Sequence, residues 1–96
     1  MTNREMVVEK LKAKLDQWNA ELDKLEARTR ESRAEVKAHH EENMEELRRL
    51  RDNAKEKLKA LREESGGAWE ELKKGAEEAW NRFSEAVDKA RKEFDN

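Results

Sequence analysis

The sequence contains no cysteine and no proline, and it has only three glycines among 96 residues. The lack of cysteine excludes disulfide bonds and thiolate metal sites. The lack of proline means that nothing before Gly66 and Gly67 compels a helix to end. No apolar run approaches the roughly 18 residues of a membrane-spanning helix, and residues 1–14 lack the apolar region of a signal peptide. We therefore expect a cytoplasmic protein.

A surplus of charge of one sign is also missing. The 22 lysines and arginines nearly balance the 24 acidic residues, which gives a formal net charge of −2. Nucleic-acid binding depends on a basic surplus that neutralises phosphates, so we expect no nucleic-acid partner. Hydrophobic residues make up 34% of the chain and charged residues 48%. This composition is typical either of a disordered chain or of long helices that each bury one narrow stripe.

Periodicity decides in favour of helices. From residue 8, apolar residues recur in alternating steps of three and four, which defines a heptad seam. Its first members are Val8, Leu11, Leu15, Trp18, Leu22 and Leu25. The seam continues in phase through Thr29, Ser32 and Val36 and then takes a second step of four to His40, a stutter that relaxes the supercoil. We predict one long coiled-coil helix for residues 1–64.

A second helix follows the turn predicted at residues 65–67, where Gly66 can supply the left-handed residue that ends a helix. In residues 68–96, the segment Ala68-Trp69-Glu70-Glu71-Leu72 returns eleven residues later as Ala79-Trp80-Asn81-Arg82-Phe83. An eleven-residue repeat gives a nearly straight amphipathic helix. We predict an all-α fold in which this helix and the long helix form an antiparallel hairpin. The predicted hairpin core is Leu47, Leu50, Leu58, Leu61, Trp69, Leu72, Trp80, Phe83 and Val87.

The lengths of the two helices predict self-association. The second helix, folded back, would cover the first only from about Val36 to Glu64, leaving the seam residues from Val8 to Leu25 without a partner. Burial stabilises each large apolar side chain by roughly 1.5–3 kcal/mol, and an exposed apolar patch of this size marks an association surface. We predict a homo-oligomer, with an antiparallel dimer favoured because parallel pairing brings like charges together. In such a dimer the long helices cross near residues 30–36, and the C-terminal helix either folds back or exchanges between chains.

The ionisable residues predict no catalytic, cofactor or metal site. His39 shares a helix face with Glu35 and Asn43, but a third strong metal ligand is missing. The histidine pair fits polar seam or surface positions better. Because histidine titrates near neutrality, pH-dependent packing at the polar middle of the long helix stays an alternative. The numerous glutamate pairs are typical of solvated helix faces with i,i+4 ion pairs. No phosphate loop or nucleophile–base set is present, so we predict a protein that is not an enzyme.

Several segments resemble a known family. The patches Trp18-Asn19-Ala20-Glu21 and Gly67-Ala68-Trp69-Glu70, with residues 45–52, resemble small bacterial coiled-coil proteins of the cyanobacterial-type stress-response family. That resemblance implies a structural or interaction role under stress and no active-site residues. The eleven-residue repeat is also similar to the repeats of exchangeable apolipoproteins and late-embryogenesis-abundant proteins. This similarity leaves an alternative open, in which the C-terminal amphipathic helix binds a lipid surface. Residues 68–96 carry eight acids and six bases, a balance that would not attract them to an anionic membrane.

Overall fold

Three α-helices form the chain in a computed structural model that describes residues 2–95. They are α1 (Asn3–Arg30), α2 (Ala34–Glu63) and α3 (Trp69–Asp95), and no strand occurs among the described residues. The prediction of an all-α fold is therefore confirmed. The helices lie side by side in a bundle of 51 × 20 × 17 Å, whose long dimension is close to the length expected of a single 30-residue helix, about 45 Å.

The break between α1 and α2 corrects the prediction of a single helix over residues 1–64. α1 ends at Arg30, residues 31–33 are not helical, and α2 begins at Ala34. Arg33 is extended, with φ −64° and ψ 149°, while Glu31 stays close to helical geometry with φ −90° and ψ −3°. The turn costs a few helical hydrogen bonds, each contributing about 1 kcal/mol, but it brings the α1 seam back onto the other two helices.

The burial of that seam within one chain is the physical reason for the break. Leu11, Leu15, Leu22 and Leu25 are each at most 6% exposed, and Val8 and Trp18 pack partly buried against the same core. These six residues were predicted to need a partner chain, because α1 was expected to extend away from the rest. In the structure α1 folds back, so they find their partners within the chain.

The connection between α2 and α3 contains the predicted Ser-Gly-Gly turn, but the turn works differently from the prediction. No glycine among the described residues has a positive φ, so Gly66 does not supply a left-handed residue. Glu64 ends α2 instead, in an extended conformation with φ −79° and ψ 120°. Its side-chain Oε1 accepts a hydrogen bond of 2.7 Å from the backbone N–H of Gly66. Arg4 of α1 donates a 3.2 Å hydrogen bond to the Gly66 carbonyl and so ties α1 to this turn.

The core runs along the bundle axis and takes one face from each helix. Phe83 is fully buried at its centre, and the Trp18 ring meets it edge-on with ring centroids 5.5 Å apart. The Trp80 indole N–H donates a 2.9 Å hydrogen bond to the Leu11 carbonyl, which satisfies a buried polar atom. Of the residues predicted for the hairpin core, the structure buries Leu47, Leu58, Leu61, Trp69, Trp80, Phe83 and Val87, and it leaves Leu50 and Leu72 partly buried.

Replacement of Phe83 tests this description of the core. We expect Phe83→Ala to lower the free energy of unfolding by about 3–5 kcal/mol, because it leaves a cavity in the buried core beside Trp18. Urea unfolding followed by far-UV circular dichroism measures the change. Met6, 56% exposed on α1, supplies the matched control, and Met6→Ala should stay within about 0.5 kcal/mol of the wild type. Equal effects of the two substitutions would contradict the assigned core.

Candidate functional site

The densest set of polar and aromatic contacts lies at the end of the bundle formed by the end of α1, the start of α2 and the end of α3. We call it the His-Phe cluster, and it consists of Arg28, His39, His40, Asn43, Glu93 and Phe94. Both histidines of the chain belong to it. The short connection at residues 31–33 positions it, because the turn brings the end of α1 beside the start of α2.

His40 packs as an aromatic ring rather than facing solvent. It is 8% exposed and stacks on Phe94 with ring centroids 4.1 Å apart and an interplanar angle of 20°. The guanidinium carbon of Arg28 lies 4.9 Å from the centroid of the same Phe94 ring, and Arg28 also donates a 3.0 Å hydrogen bond to the Phe94 carbonyl. Stacking and cation–π contact therefore fasten the end of α3 to both α1 and α2.

His39 belongs to a hydrogen-bonded group that joins α2 to α3. Its Nε2 lies 3.4 Å from Glu93 Oε2, and the Asn43 side-chain amide donates a 2.6 Å hydrogen bond to the same oxygen. Sequence reasoning placed His39 and Asn43 on one face with Glu35. The structure does bring His39 and Asn43 within 3.5 Å of each other, but the carboxylate that they meet comes from Glu93 of α3.

This group functions as an interhelical contact. Among the residues that the structure describes, no set of three or more histidine, cysteine, aspartate or glutamate side chains is arranged to hold a metal ion. The Glu93 oxygen is already engaged by the Asn43 amide. The arrangement can therefore hold the bundle end together through charge-assisted hydrogen bonds, and it gives no reason to assign a metal to it.

A second polar site lies at the opposite end, where an open groove of about 340 Å³ separates the start of α1 from the end of α2. Arg4, Leu61, Arg62 and Trp69 contribute to its walls. The Arg4 guanidinium carbon lies 4.9 Å from the centroid of the Trp69 ring. An arginine of α1 thus lies over an aromatic ring of α3 at this end, as Arg28 does at the other.

Several ionisable side chains outside these two sites form surface pairs. Arg48 and Glu26 join α2 to α1 at 2.7 Å. The pKa of Arg49 is raised by its hydrogen bond to Glu46 and by the attraction of the same carboxylate. Both members of this second pair are largely exposed, where such pairs contribute little to stability. No helix in the described part of the chain is long and apolar enough to cross a membrane.

The role of the His-Phe cluster is tested by Phe94→Leu, which keeps an apolar side chain but removes the ring. We expect the free energy of unfolding to fall by about 1–2 kcal/mol, because the stacking and the cation–π contact are lost together. Amide hydrogen exchange should accelerate more near residues 25–30 and 88–94 than in the rest of the chain. Lys92→Ala, on the exposed side of the same turn, is the control and should leave both measurements unchanged. Exchange that rises uniformly along the chain would contradict a local role.

Comparisons with known proteins provide no relative from which a function can be transferred. No protein-family model matches the chain, and no curated protein and no solved structure matches it either. The resemblance to bacterial stress-response proteins stays a prediction that rests on the quoted residues. A function for this three-helix bundle is therefore argued from its own surfaces.

Proposed function

We propose that this chain is a non-enzymatic structural or interaction protein that acts as a homo-oligomer, with cellular stress as its setting. The observation that carries the proposal is the exposure of Val36. It is an aliphatic residue in phase with the heptad seam, yet 44% of its surface is exposed beside the break between α1 and α2. The next seam position along the chain, His40, is buried, and Ser32 before it is partly buried.

The character of the surface supports a non-enzymatic role. Charged side chains of both signs cover the outer faces of the helices, and they pair with one another, as in Arg91 with Asp88 and Lys24 with Glu21. Acid–base catalysis depends on a partly desolvated pocket that adjusts the pKa of a catalytic group. The groove beside Trp69 is open, and charged residues of both signs line its rim. These surfaces suit contact with another macromolecule better than conversion of a small substrate.

Self-association through this surface is expected to be reversible. Because the seam residues of α1 are already buried within the chain, the isolated bundle does not depend on a partner for its core. The exposed apolar surface near the break is small, and small interfaces give weak, transient complexes. We therefore propose an equilibrium between monomer and antiparallel dimer, with Val36 near the centre of the contact.

The mass of the protein in solution tests self-association directly. In sedimentation equilibrium, or in size-exclusion chromatography with light scattering, we expect the mass to rise with concentration from 11.4 kDa towards twice that value. Val36→Glu should shift the equilibrium to monomer, because it places a charge in the contact. Ala38→Glu adds the same charge to an exposed position off the seam and should leave the equilibrium unchanged. A mass of one chain at every accessible concentration would overturn the proposal.

A second candidate function is binding to a lipid surface through α3. The observation that favours it is the continuous apolar face of this helix, which contains Ala76, Trp80, Phe83, Val87 and Ala90, all buried in the bundle. If α3 separated from α1 and α2, the same face would suit the boundary between lipid headgroups and acyl chains. The bundle would have to open first, so lipid would compete with the protein's own core for this face.

Vesicle flotation separates the two candidate functions. With the core closed as observed, we expect the protein to stay with the aqueous fraction for both zwitterionic and anionic vesicles, with an unchanged helical circular dichroism spectrum. The acidic surplus on α3 should further disfavour anionic vesicles. Flotation with zwitterionic vesicles would instead support the lipid-binding alternative.

A further inference from the structure

The connection between α1 and α2 contains no residue that prevents a helix. Glu31, Ser32 and Arg33 include neither glycine nor proline, and no described residue has a positive φ. Glu31 is already near helical geometry, and Arg33 is extended. A change in the backbone angles of two or three residues would therefore join α1 and α2 into one helix, and none of these residues is of a type that breaks a helix.

We propose that residues 31–33 are a hinge through which two copies of this chain exchange α1. In the exchanged dimer, α1 of each copy leaves its own α2 and α3 and packs in the same place on the partner. The result is a symmetric pair of three-helix bundles connected by two straightened hinges. This inference rests on the proposed self-association and names the surface that mediates it, which is the face of α1 that the closed chain buries.

Exchange preserves the core because the same residues meet in either arrangement. The same contacts would form between chains: the packing of the buried leucines of α1, the hydrogen bond from the Trp80 indole, and the ion pair of Arg48 with Glu26. α1 has 28 residues and α2 has 30, so an exchanged α1 would cover the partner along its whole length. The two arrangements therefore differ mainly at the hinge and in the entropy of association.

The hinge itself favours straightening. Arg33 precedes α2 as its N-cap residue and provides no side-chain hydrogen bond to the helix. The first helical bonds of α2 run from the N–H groups of Val36 and Lys37 to the Arg33 carbonyl. In a continuous helix, the N–H groups of residues 33–35 would acquire acceptors four residues earlier, on residues 29–31.

Val36 supplies the second favourable change. In the closed chain it lies just after the break and is 44% exposed. In a straightened hinge it would continue the seam after Thr29 and Ser32, where two symmetry-related helices cross. Each copy would then bury its Val36 against the other. Exchange thus accounts both for the exposure of Val36 and for the absence of a helix-breaking residue at the turn.

A proline at position 34 distinguishes the two arrangements. Ala34 is the first residue of α2, a position where proline is favoured, and Arg33 before it already has the extended geometry that precedes proline. The closed chain therefore accommodates Ala34→Pro. In a straightened hinge, the proline ring would clash with the carbonyl four residues earlier. We expect Ala34→Pro to weaken dimerisation by at least about a hundredfold while the circular dichroism of the monomer is retained, and Ala34→Ser to leave dimerisation nearly unchanged.

Cross-linking shows which chain supplies α1. The protein has no cysteine of its own, so Glu26→Cys with Arg48→Cys gives one pair that spans α1 and α2. The dimer and monomer fractions are treated with a short bismaleimide and separated on a denaturing gel. We expect covalent two-chain products from the dimer fraction and links within a single chain from the monomer fraction. The double-cysteine protein that also carries Ala34→Pro should give only links within a single chain.

The outcomes separate this inference from the proposal on which it rests. A dimer that gives only single-chain links, or that survives Ala34→Pro unchanged, overturns exchange and leaves self-association by closed bundles in place. A protein that remains monomeric at all concentrations overturns both. Two-chain links that disappear with Ala34→Pro support exchange through residues 31–33.

Discussion

Burial of one narrow apolar stripe per helix is the constraint on which the whole structure depends. Hydrophobic residues make up about a third of the chain and charged residues nearly half, so there is too little apolar surface to leave any stripe unpaired. In a chain without a partner, a straight helix over residues 1–64 would expose the seam from Val8 to Leu25. Each of its large side chains is worth roughly 1.5–3 kcal/mol when buried, which outweighs the few backbone hydrogen bonds lost at residues 31–33.

Sequence reasoning could predict the helices and their inward faces. The heptad seam and the eleven-residue repeat identify the residues that the structure buries, from Leu11 on α1 to Val87 on α3. The end of α2 and the start of α3 could also be predicted, because Ser65, Gly66 and Gly67 interrupt the pattern. The break after Arg30 could not be located in the same way, since glutamate, serine and arginine are all compatible with a helix. Its signals were the polar seam positions Thr29 and Ser32 and the stutter that follows them.

The His-Phe cluster could be predicted only in part, for a related reason. Periodicity along α2 placed His39 beside Asn43, because residues four apart share a helix face. The contacts of His40 with Phe94, and of His39 with Glu93, depend on how far α3 extends along α2 and on its rotation. Those quantities follow from packing of the whole core rather than from any local pattern. The same holds for Arg28, whose position over Phe94 requires the turn that sequence reasoning did not locate.

The attachment of α1 connects the fold to the proposed behaviour of the protein. Each end of α1 places an arginine on an aromatic ring of α3: Arg4 on Trp69 and Arg28 on Phe94. Leucines are buried between these ends, and the indole of Trp80 bonds to the α1 backbone. None of these contacts depends on the chain that connects α1 to α2, so a second copy can supply them equally well. The connection therefore sets the balance between a closed chain and an exchanged pair. Because exchange is bimolecular, a higher protein concentration must shift that balance towards the exchanged pair. The residues of the hinge are all compatible with a helix, so the chain can make this change while its core contacts stay the same.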